Sequence, residues 1–198
     1  MHRPLVLAFD TSAAHCAAAL LSQDTVLAER QIDMAKGQAE RLMPMLDDLL
    51  AEAGLEWRDL DAIAVGVGPG NFTGIRISVA AARGLSLALG VPAIGVSLFE
   101  ALAIGNRGPA LAVLPAPRDA FYVQPVRDDR TEGAPSYTQT PPHDTGRHLT
   151  ILPQPIAPVL ARIGAARLQA GSAGPRPAPL YIRPVDAAPA APAPRILG

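Results

Sequence analysis

Cysteine and lysine are almost absent from the sequence, and charge of neither sign is concentrated in one region. Cys16 is the one cysteine among 198 residues, which excludes an internal disulfide and a cysteine-based metal site. Its apolar neighbours predict a buried, unreactive thiol. The 17 basic residues, of which Lys36 is the one lysine, are spread over the chain, and the formal net charge is −1. Because a nucleic-acid-binding surface usually carries a basic stripe, any contact with a nucleic acid is expected to be shared with a partner.

Long apolar runs are also missing. No segment reaches the roughly 18 uninterrupted apolar residues that would span a bilayer. The five apolar residues before Asp10 are too few for the apolar region of a secretory signal. The overall apolar content of 49% is enough for one compact domain or two small lobes. We therefore expect a cytoplasmic protein with no membrane segment.

Proline is distributed unevenly along the chain. Four prolines lie in residues 1–108 and the other seventeen lie in residues 109–198. Because proline cannot donate a backbone hydrogen bond, the second half should contain short elements and much irregular chain. The sequence therefore predicts a first lobe at 1–108, a smaller lobe at 109–185 and a Pro/Ala-rich tail at 186–198.

Apolar periodicity predicts an α/β arrangement in the first lobe. Three β-type runs come first, and the polar turn at 22–24 makes the second and third a hairpin. Helical spacing then alternates with buried β-type runs, and this order implies parallel pairing. The predicted strands are 5–10, 16–22, 25–33, 61–68 and 92–97, and the predicted helices are 37–53 and 73–90.

The stretch "GVGPGNFTGIR" at 66–76 connects a predicted strand to a predicted helix. Its backbone N–H groups and the helix N-terminus suit an anion, and Asn71 or Thr73 can cap the helix. The same glycines would equally allow two backbones to approach closely. The lysine of a phosphate-binding P-loop is missing, so both interpretations stay open.

A second polar turn, "FDTSAAH", follows the first predicted strand. A carboxylate followed by two hydroxyls can hold a magnesium-bound phosphate, or it can form a turn that satisfies its own backbone. Together the two turns provide the candidate anion or nucleotide contacts. These are Asp10, Thr11, Ser12, Gly68, Gly70, Asn71, Thr73 and Gly74.

Four stretches carry a resemblance to a known family: "VLAFDTS", "AERLMPMLDDLLAEAGL", "LDAIAVGVGPGNFTGIRISVAAARGLSLALGVPAIGVSLFEALA" and "PLYIRPVDA". They closely resemble the TsaB (YeaZ-type) family over roughly residues 5–103. The resemblance implies an α/β, actin-like or hexokinase-type (ribonuclease H-like) fold with two lobes, mixed central sheets and a reduced second lobe. It also implies a non-catalytic partner of TsaD, the subunit that transfers the threonylcarbamoyl group to tRNA, with the ATPase TsaE completing the complex.

The resemblance bears on catalysis and cofactors as well. Catalytic TsaD relatives carry two metal-binding histidines at the positions that correspond to Leu98 and Leu102, and leucine binds no metal. We therefore expect no metal site and no catalytic residue. No cofactor is expected in the chain itself, and ATP or ADP with magnesium at the partner interface is the one case left open.

Two helices form the partner surface that the resemblance implies for TsaD, or for a second copy of the chain when it is alone. Small side chains along the second helix would let another helix approach closely. The alternative is that both helices simply pack on the sheet of the same chain. The candidate interface residues are Leu42, Met45, Leu46, Leu49, Ala80, Gly84 and Ala88.

A second class of function stays open beside the accessory subunit. A small kinase or ATPase of the actin-like superfamily would use the Asp10 turn and the Gly68–Gly74 loop on a phosphate. Such an enzyme needs a second phosphate loop, for which residues 170–175 are a weak candidate.

Overall fold

The computed structural model describes residues 4–140, 146–150 and 155–182, so the predicted tail at 186–198 lies outside the described residues. A five-stranded mixed sheet forms the centre. It has the order β3-β2-β1-β4-β5, in which β1 pairs antiparallel with β2 and parallel with β4. The strands are β1 (Leu5–Asp10), β2 (His15–Ser22), β3 (Thr25–Asp33), β4 (Ala62–Gly66) and β5 (Ala93–Val96).

Two helices cover one face of this sheet, α1 (Gln38–Glu52) and α2 (Phe72–Leu89). Helix α1 begins after Gly37, which has a φ of 90°. Helix α2 ends at Gly90, whose φ of 71° is a left-handed conformation that glycine adopts without strain. The helices predicted from periodicity are therefore confirmed to within one or two residues at their ends.

The opposite face of the sheet is covered by α4 (Ile156–Gln169). A short helix, α3 (Leu98–Ala103), comes directly after β5. Gly164 lets α4 approach β4 closely, because a Cβ atom at this position would lie 2.7 Å from the Cβ of Ala64. Helix α4 belongs in sequence to the range 109–185 but packs on the first sheet. The predicted lobe boundary near residue 108 stays a prediction.

A second mixed sheet follows α3 and has the order β10-β6-β7-β8, with β9 also paired to β7. Three of its five strands have two or three residues, in agreement with the short elements that proline predicts. The strands are β6 (Pro109–Ala116), β7 (Ala120–Arg127), β8 (Arg130–Thr131), β9 (Ser136–Thr138) and β10 (His148–Leu149).

The core consists of two clusters separated by the first sheet. Along β1, Val6 and Ala8 point to the side of α4, whereas Leu7 and Phe9 point to the side of α1 and α2, as the two-residue period of a strand requires. The cluster around α4 also contains residues of α3, β6 and β7, which joins the second sheet to the first. The predicted α/β fold class with mixed central sheets is confirmed.

Among the described residues, α2 is the one helix that is long and apolar enough to cross a membrane by length and composition. Core helices of globular proteins pass the same test. In this chain α2 buries Ile75 and Val79 inside the molecule and carries two arginines, Arg76 and Arg83.

Candidate functional site

The turn between β1 and β2 is closed around Asp10. The Asp10 side chain is 0% exposed, and its Oδ1 accepts hydrogen bonds from the Ser12 amide at 3.0 Å and the Ser12 hydroxyl at 2.9 Å. The Nε2 of His15 donates to the same oxygen at 2.7 Å. This is the turn that satisfies its own backbone and side chains, the second of the two interpretations left open by the sequence.

The glycine-rich loop lies directly against this turn. A Cβ atom at Gly70 would lie 2.3 Å from the carbonyl oxygen of Ser12, and one at Gly74 would lie 1.9 Å from that of Thr11. Two hydrogen bonds join the segments: the Asn71 amide donates to the Ser12 carbonyl, and the Thr11 hydroxyl donates to the Gly74 carbonyl, both at 2.6 Å. The glycines therefore permit close contact between two backbones.

The second carboxylate oxygen of Asp10 is enclosed as well. It is buried without a hydrogen-bond partner among the described residues. Gly66, at the end of β4, closes the space in front of it, because a Cβ atom there would lie 1.9 Å from Oδ2. Since Asp10 is fully buried, this oxygen has no open side from which a magnesium ion could bind.

The side chain of Asn71 takes up one of the backbone donors at the N-terminus of α2. Asn71 caps the helix, and its side-chain oxygen accepts from the Gly74 amide at 2.8 Å, as the sequence predicts. Gly68 is buried with a φ of 96°, and its carbonyl accepts from the Leu98 amide at 2.8 Å. Thr73 lies at the surface.

The candidate anion contacts therefore do not form an open site. Asp10, Thr11 and Ser12 are 0%, 0% and 1% exposed, so they do not fit a bound nucleotide with magnesium in the isolated chain. The structure brings most of the predicted residues together, but as a packed junction between two turns. We name Asp10, Thr11, Ser12, Gly70 and Gly74 the turn junction.

The α1 residues predicted to face a partner are buried in the chain itself. Leu42 is 1% exposed, and Met45, Leu46 and Leu49 are each 0% exposed. They pack against the first sheet with residues of β1 and β2. The apolar stripe of this amphipathic helix is therefore covered by its own sheet, and these four side chains are not on the surface of the isolated chain.

The α2 residues of the predicted interface are exposed. Ala80, Gly84 and Ala88 lie on the outer surface of the helix, and no atom lies within 4 Å of a Cβ built at Gly84. Beside them is Leu87, whose exposure of 80% is the highest among the large apolar residues exposed in the described structure. The sequence analysis missed Leu87, although its spacing of seven residues from Ala80 places both on one side of the helix. We name Ala80, Arg83, Gly84, Leu87 and Ala88 the outer face of α2.

An aromatic cluster at the start of α2 was also missed. The rings of Phe72 and Tyr181 stack with their centroids 5.1 Å apart, and the Arg76 guanidinium lies 3.9 Å from the centre of the Phe72 ring. The Arg76 Nε donates to the Tyr181 hydroxyl at 2.9 Å. The four-residue spacing of Phe72 and Arg76 indicated that they share a side of the helix, but nothing local indicated that Tyr181 joins them.

An open cavity of about 460 Å³ lies near the C-terminal ends of α1 and α2. The indole of Trp57 donates to Asp47 at 2.8 Å at its edge, and Asp47 has no cationic partner among the described residues. The lining residues are Asp47, Leu50, Ala51, Leu55, Glu56, Trp57, Arg58 and Leu89. We name this cavity the Trp57 pocket.

The single cysteine behaves as the sequence predicts. Cys16 is buried in β2, and burial raises the pKa of its thiol to about 11, while the nearby Arg41 acts weakly in the opposite direction. The group is therefore protonated at neutral pH and is a poor nucleophile. Within the described ranges, no group of three or more histidine, cysteine, aspartate or glutamate residues could hold a metal ion.

Comparison with known proteins places the chain in a family. A family model described as TsaD, tRNA N6-adenosine threonylcarbamoyltransferase, matches residues 25–129. The tRNA threonylcarbamoyladenosine biosynthesis protein TsaB of Escherichia coli is 39% identical over 100 residues. The chain belongs to this family, in its TsaB (YeaZ-type) group. That match covers 50% of the chain and 43% of the E. coli TsaB.

Other relatives extend the match beyond the first lobe. An uncharacterised protein of Mycobacterium leprae is 36% identical over 93% of the chain, which covers 56% of that protein. The chain thus spans about half the length of these curated relatives. Two solved chains of Pseudomonas aeruginosa, YeaZ and a protein similar to it, give TM-scores of 0.67 and 0.73 at 27% identity. They cover 90% and 91% of the chain, which covers 99% and 100% of them, so the TsaB-type resemblance extends to the whole fold.

Proposed function

We propose that the chain is a non-catalytic subunit in tRNA threonylcarbamoyladenosine synthesis that binds and activates the TsaD transferase together with TsaE. The observation that carries this proposal is the relation to TsaB, whose E. coli member is a tRNA threonylcarbamoyladenosine biosynthesis protein. The transfer chemistry then belongs to TsaD, and tRNA is contacted through the complex. Such a subunit works in the cytoplasm.

The chemistry of the buried polar groups supports an accessory role. A catalytic group has to reach its substrate, but Asp10 is fully buried and its Oδ1 accepts three hydrogen bonds. Cys16 is buried and its thiol pKa is raised to about 11. Leu98 and Leu102, which the resemblance sets at the positions of the metal-binding histidines of TsaD relatives, are buried leucines.

The outer face of α2 is the partner surface that we propose. Its small residues, Ala80, Gly84 and Ala88, would let a partner helix approach closely. Burying the side chain of Leu87 would contribute roughly 1.5–3 kcal/mol. In the absence of TsaD, a second copy of the chain would occupy the same face as a homodimer.

The alternative function, a small kinase or ATPase, receives no support from the turn junction. It would need the Asp10 carboxylate or the loop amides to reach a phosphate. The carboxylate is buried and accepts from Ser12 and His15, and the amides of Asn71 and Gly74 donate within the chain. ATP or ADP with magnesium, proposed for the partner interface, would require the turn junction to open, since Asp10, Thr11 and Ser12 are buried.

A reconstituted modification assay tests the proposed function. Purified TsaD and TsaE are given tRNA and a threonylcarbamoyl donor, with the chain present, absent or heat-denatured. We expect the modified nucleoside to accumulate faster when the native chain is present, and the chain alone to form none. Transfer by the chain alone, or an unchanged rate on its addition, would contradict the proposal.

A further inference from the structure

Another open cavity lies where the chain leaves α4. Its volume is about 440 Å³, within the range of small-molecule sites. Val67, which follows β4, and Gly95 of β5 lie on one side, and the loop after α4 lies on the other. That loop contains residues 170–175, a weak candidate for a phosphate loop on sequence grounds. We name this cavity the Arg176 pocket.

Hydrogen bonds and packing hold the loop against the first sheet. At its start, the Ser172 amide donates to the Arg167 carbonyl at 2.9 Å. At its end, the Leu180 amide donates to the Val67 carbonyl at 2.8 Å. Between these two contacts, Pro177 is buried. The walls of the pocket therefore belong to the packed part of the chain.

Positive charge is concentrated in the Arg176 pocket. Two of its lining residues, Arg167 and Arg176, are arginines, and none of its lining residues is acidic. The Trp57 pocket differs, because its lining combines Arg58 with Asp47 and Glu56. An anion is therefore attracted to the Arg176 pocket and not to the Trp57 pocket.

The Arg167 guanidinium is held in one orientation. Its Nη1 donates to the Gly95 carbonyl at 2.7 Å, and its Nη2 pairs with the Glu100 carboxylate. These contacts use two of its five N–H donors, and the other three have no partner among the described residues. Because Glu100 compensates the charge, Arg167 contributes oriented donors rather than net charge.

Arg176 supplies the uncompensated charge. Its side chain is exposed, and in the described part of the chain it has no ionic or hydrogen-bond partner. The backbone amides of Ala173, Gly174, Arg176 and Ala178 also donate to no described residue. A guanidinium together with unused backbone amides is the set of donors with which proteins bind phosphate and carboxylate oxygens.

The pocket also has apolar lining. Val67, Pro175 and Pro177 contribute aliphatic and ring carbon atoms. A ligand with an apolar body would bury this surface as well as use the donors, whereas inorganic phosphate would use the donors alone. The lining therefore favours an organic anion over an inorganic one.

We propose that the Arg176 pocket binds a small organic anion. Its phosphate or carboxylate group contacts Arg176 and Arg167, and its apolar or aromatic body lies against Pro175 and Pro177. No residue of the turn junction lines the pocket, so this site is separate from the one that the kinase alternative would need. The proposal is independent of the proposed function, because binding is measured on the isolated chain without TsaD, TsaE or tRNA.

A ¹H–¹⁵N NMR titration of the full-length chain tests the proposal, with phenyl phosphate and benzoate as probes. We expect at least one of these anions to give saturable shifts of the Ala173, Gly174 and Ala178 amide signals. Benzyl alcohol has a ring without the charge, and inorganic phosphate has the charge without a ring, so each should bind at least about tenfold more weakly. Tighter binding of phenyl phosphate than of benzoate would assign the group as a phosphate, and the reverse order would assign it as a carboxylate.

Two arginine variants provide the matched comparison. Arg176→Gln removes the uncompensated charge from an exposed side chain, so the spectrum should stay native while binding weakens about fivefold to tenfold. Arg130→Gln removes another exposed arginine, on β8 and outside the pocket, and should leave binding unchanged.

Three results would overturn the proposal. The first is the absence of saturable shifts with both anions. The second is wild-type affinity in Arg176→Gln. The third is equal weakening by Arg176→Gln and Arg130→Gln, which would assign the effect to general attraction between the probe and the positive charge of the chain.

Discussion

The inner side of α1 and the outer face of α2 have a similar spacing of apolar or small residues, but one is buried and the other is exposed. Both show apolar or small residues at helical spacing, yet Leu46 is 0% exposed and Leu87 is 80% exposed. Helix α1 has one apolar stripe, and the first sheet covers it. Helix α2 has apolar residues on more than one side: Ala82 is buried in the cluster on the first sheet, whereas Leu87 is exposed. Apolar residues around the whole helix therefore leave apolar surface exposed, whereas a single regular stripe is covered by the chain's own sheet.

The largest expected change in the free energy of unfolding is at Leu46, a core position on the inner side of α1. Leu46→Ala should destabilise the chain by about 2–5 kcal/mol, because it leaves a cavity between α1 and the first sheet. Leu46→Asp should prevent folding, because it would bury an unpaired charge. Urea unfolding followed by circular dichroism measures the first change directly.

Met43 provides the matched control on the same helix. It is 38% exposed, so Met43→Ala should change the free energy of unfolding by less than about 0.5 kcal/mol. An equal decrease in the free energy of unfolding for Leu46→Ala and Met43→Ala would mean that the inner side of α1 is not part of the hydrophobic core.

The second effect compares two glycines of α2. Gly74→Ala places a Cβ atom 1.9 Å from the Thr11 carbonyl, so the two turns have to move apart, at a cost of about 1–3 kcal/mol. Gly84→Ala meets no atom within 4 Å and should stabilise the helix by up to about 1 kcal/mol. Thermal unfolding of both variants should therefore shift in opposite directions. A neutral Gly74→Ala would disprove the close contact in the turn junction.

The smallest effect comes from an exposed ion pair. A hydrogen bond from Arg107 and another from the Gly105 amide hold the pKa of Asp129 below its ordinary value. A carboxylate with a lowered pKa contributes stability above the unfolded-state pKa of about 3.9, and this contribution is lost as the pH falls through the folded-state value. Arg107→Ala should therefore raise the Asp129 pKa, as measured by NMR titration of its carboxyl carbon, with little change in stability near neutral pH. An unchanged pKa would show that the pair does not persist in solution.

Local patterns in the sequence predict the helices and strands, but they do not predict the contacts between residues that are distant in sequence. The bounds of β1 and β3, the ends of α1 and α2 and the Asn71 cap follow from periodicity and capping chemistry. The turn junction joins Thr11 to Gly74 across 63 residues, and glycine spacing alone suits either a phosphate or a second backbone. The packing of α4 on the first sheet and the stacking of Tyr181 on Phe72 likewise depend on tertiary contacts with no local signal.

The most direct test of the central claim is the affinity of TsaD for two aspartate variants. Leu87→Asp changes the outer face of α2, and Leu27→Asp changes another exposed leucine, 45% exposed on the edge strand β3. Calorimetric titration should show binding to TsaD weakened about tenfold to a hundredfold by Leu87→Asp, in proportion to the buried side chain, and unchanged by Leu27→Asp. Equal affinity of both variants and the wild-type chain would contradict the account.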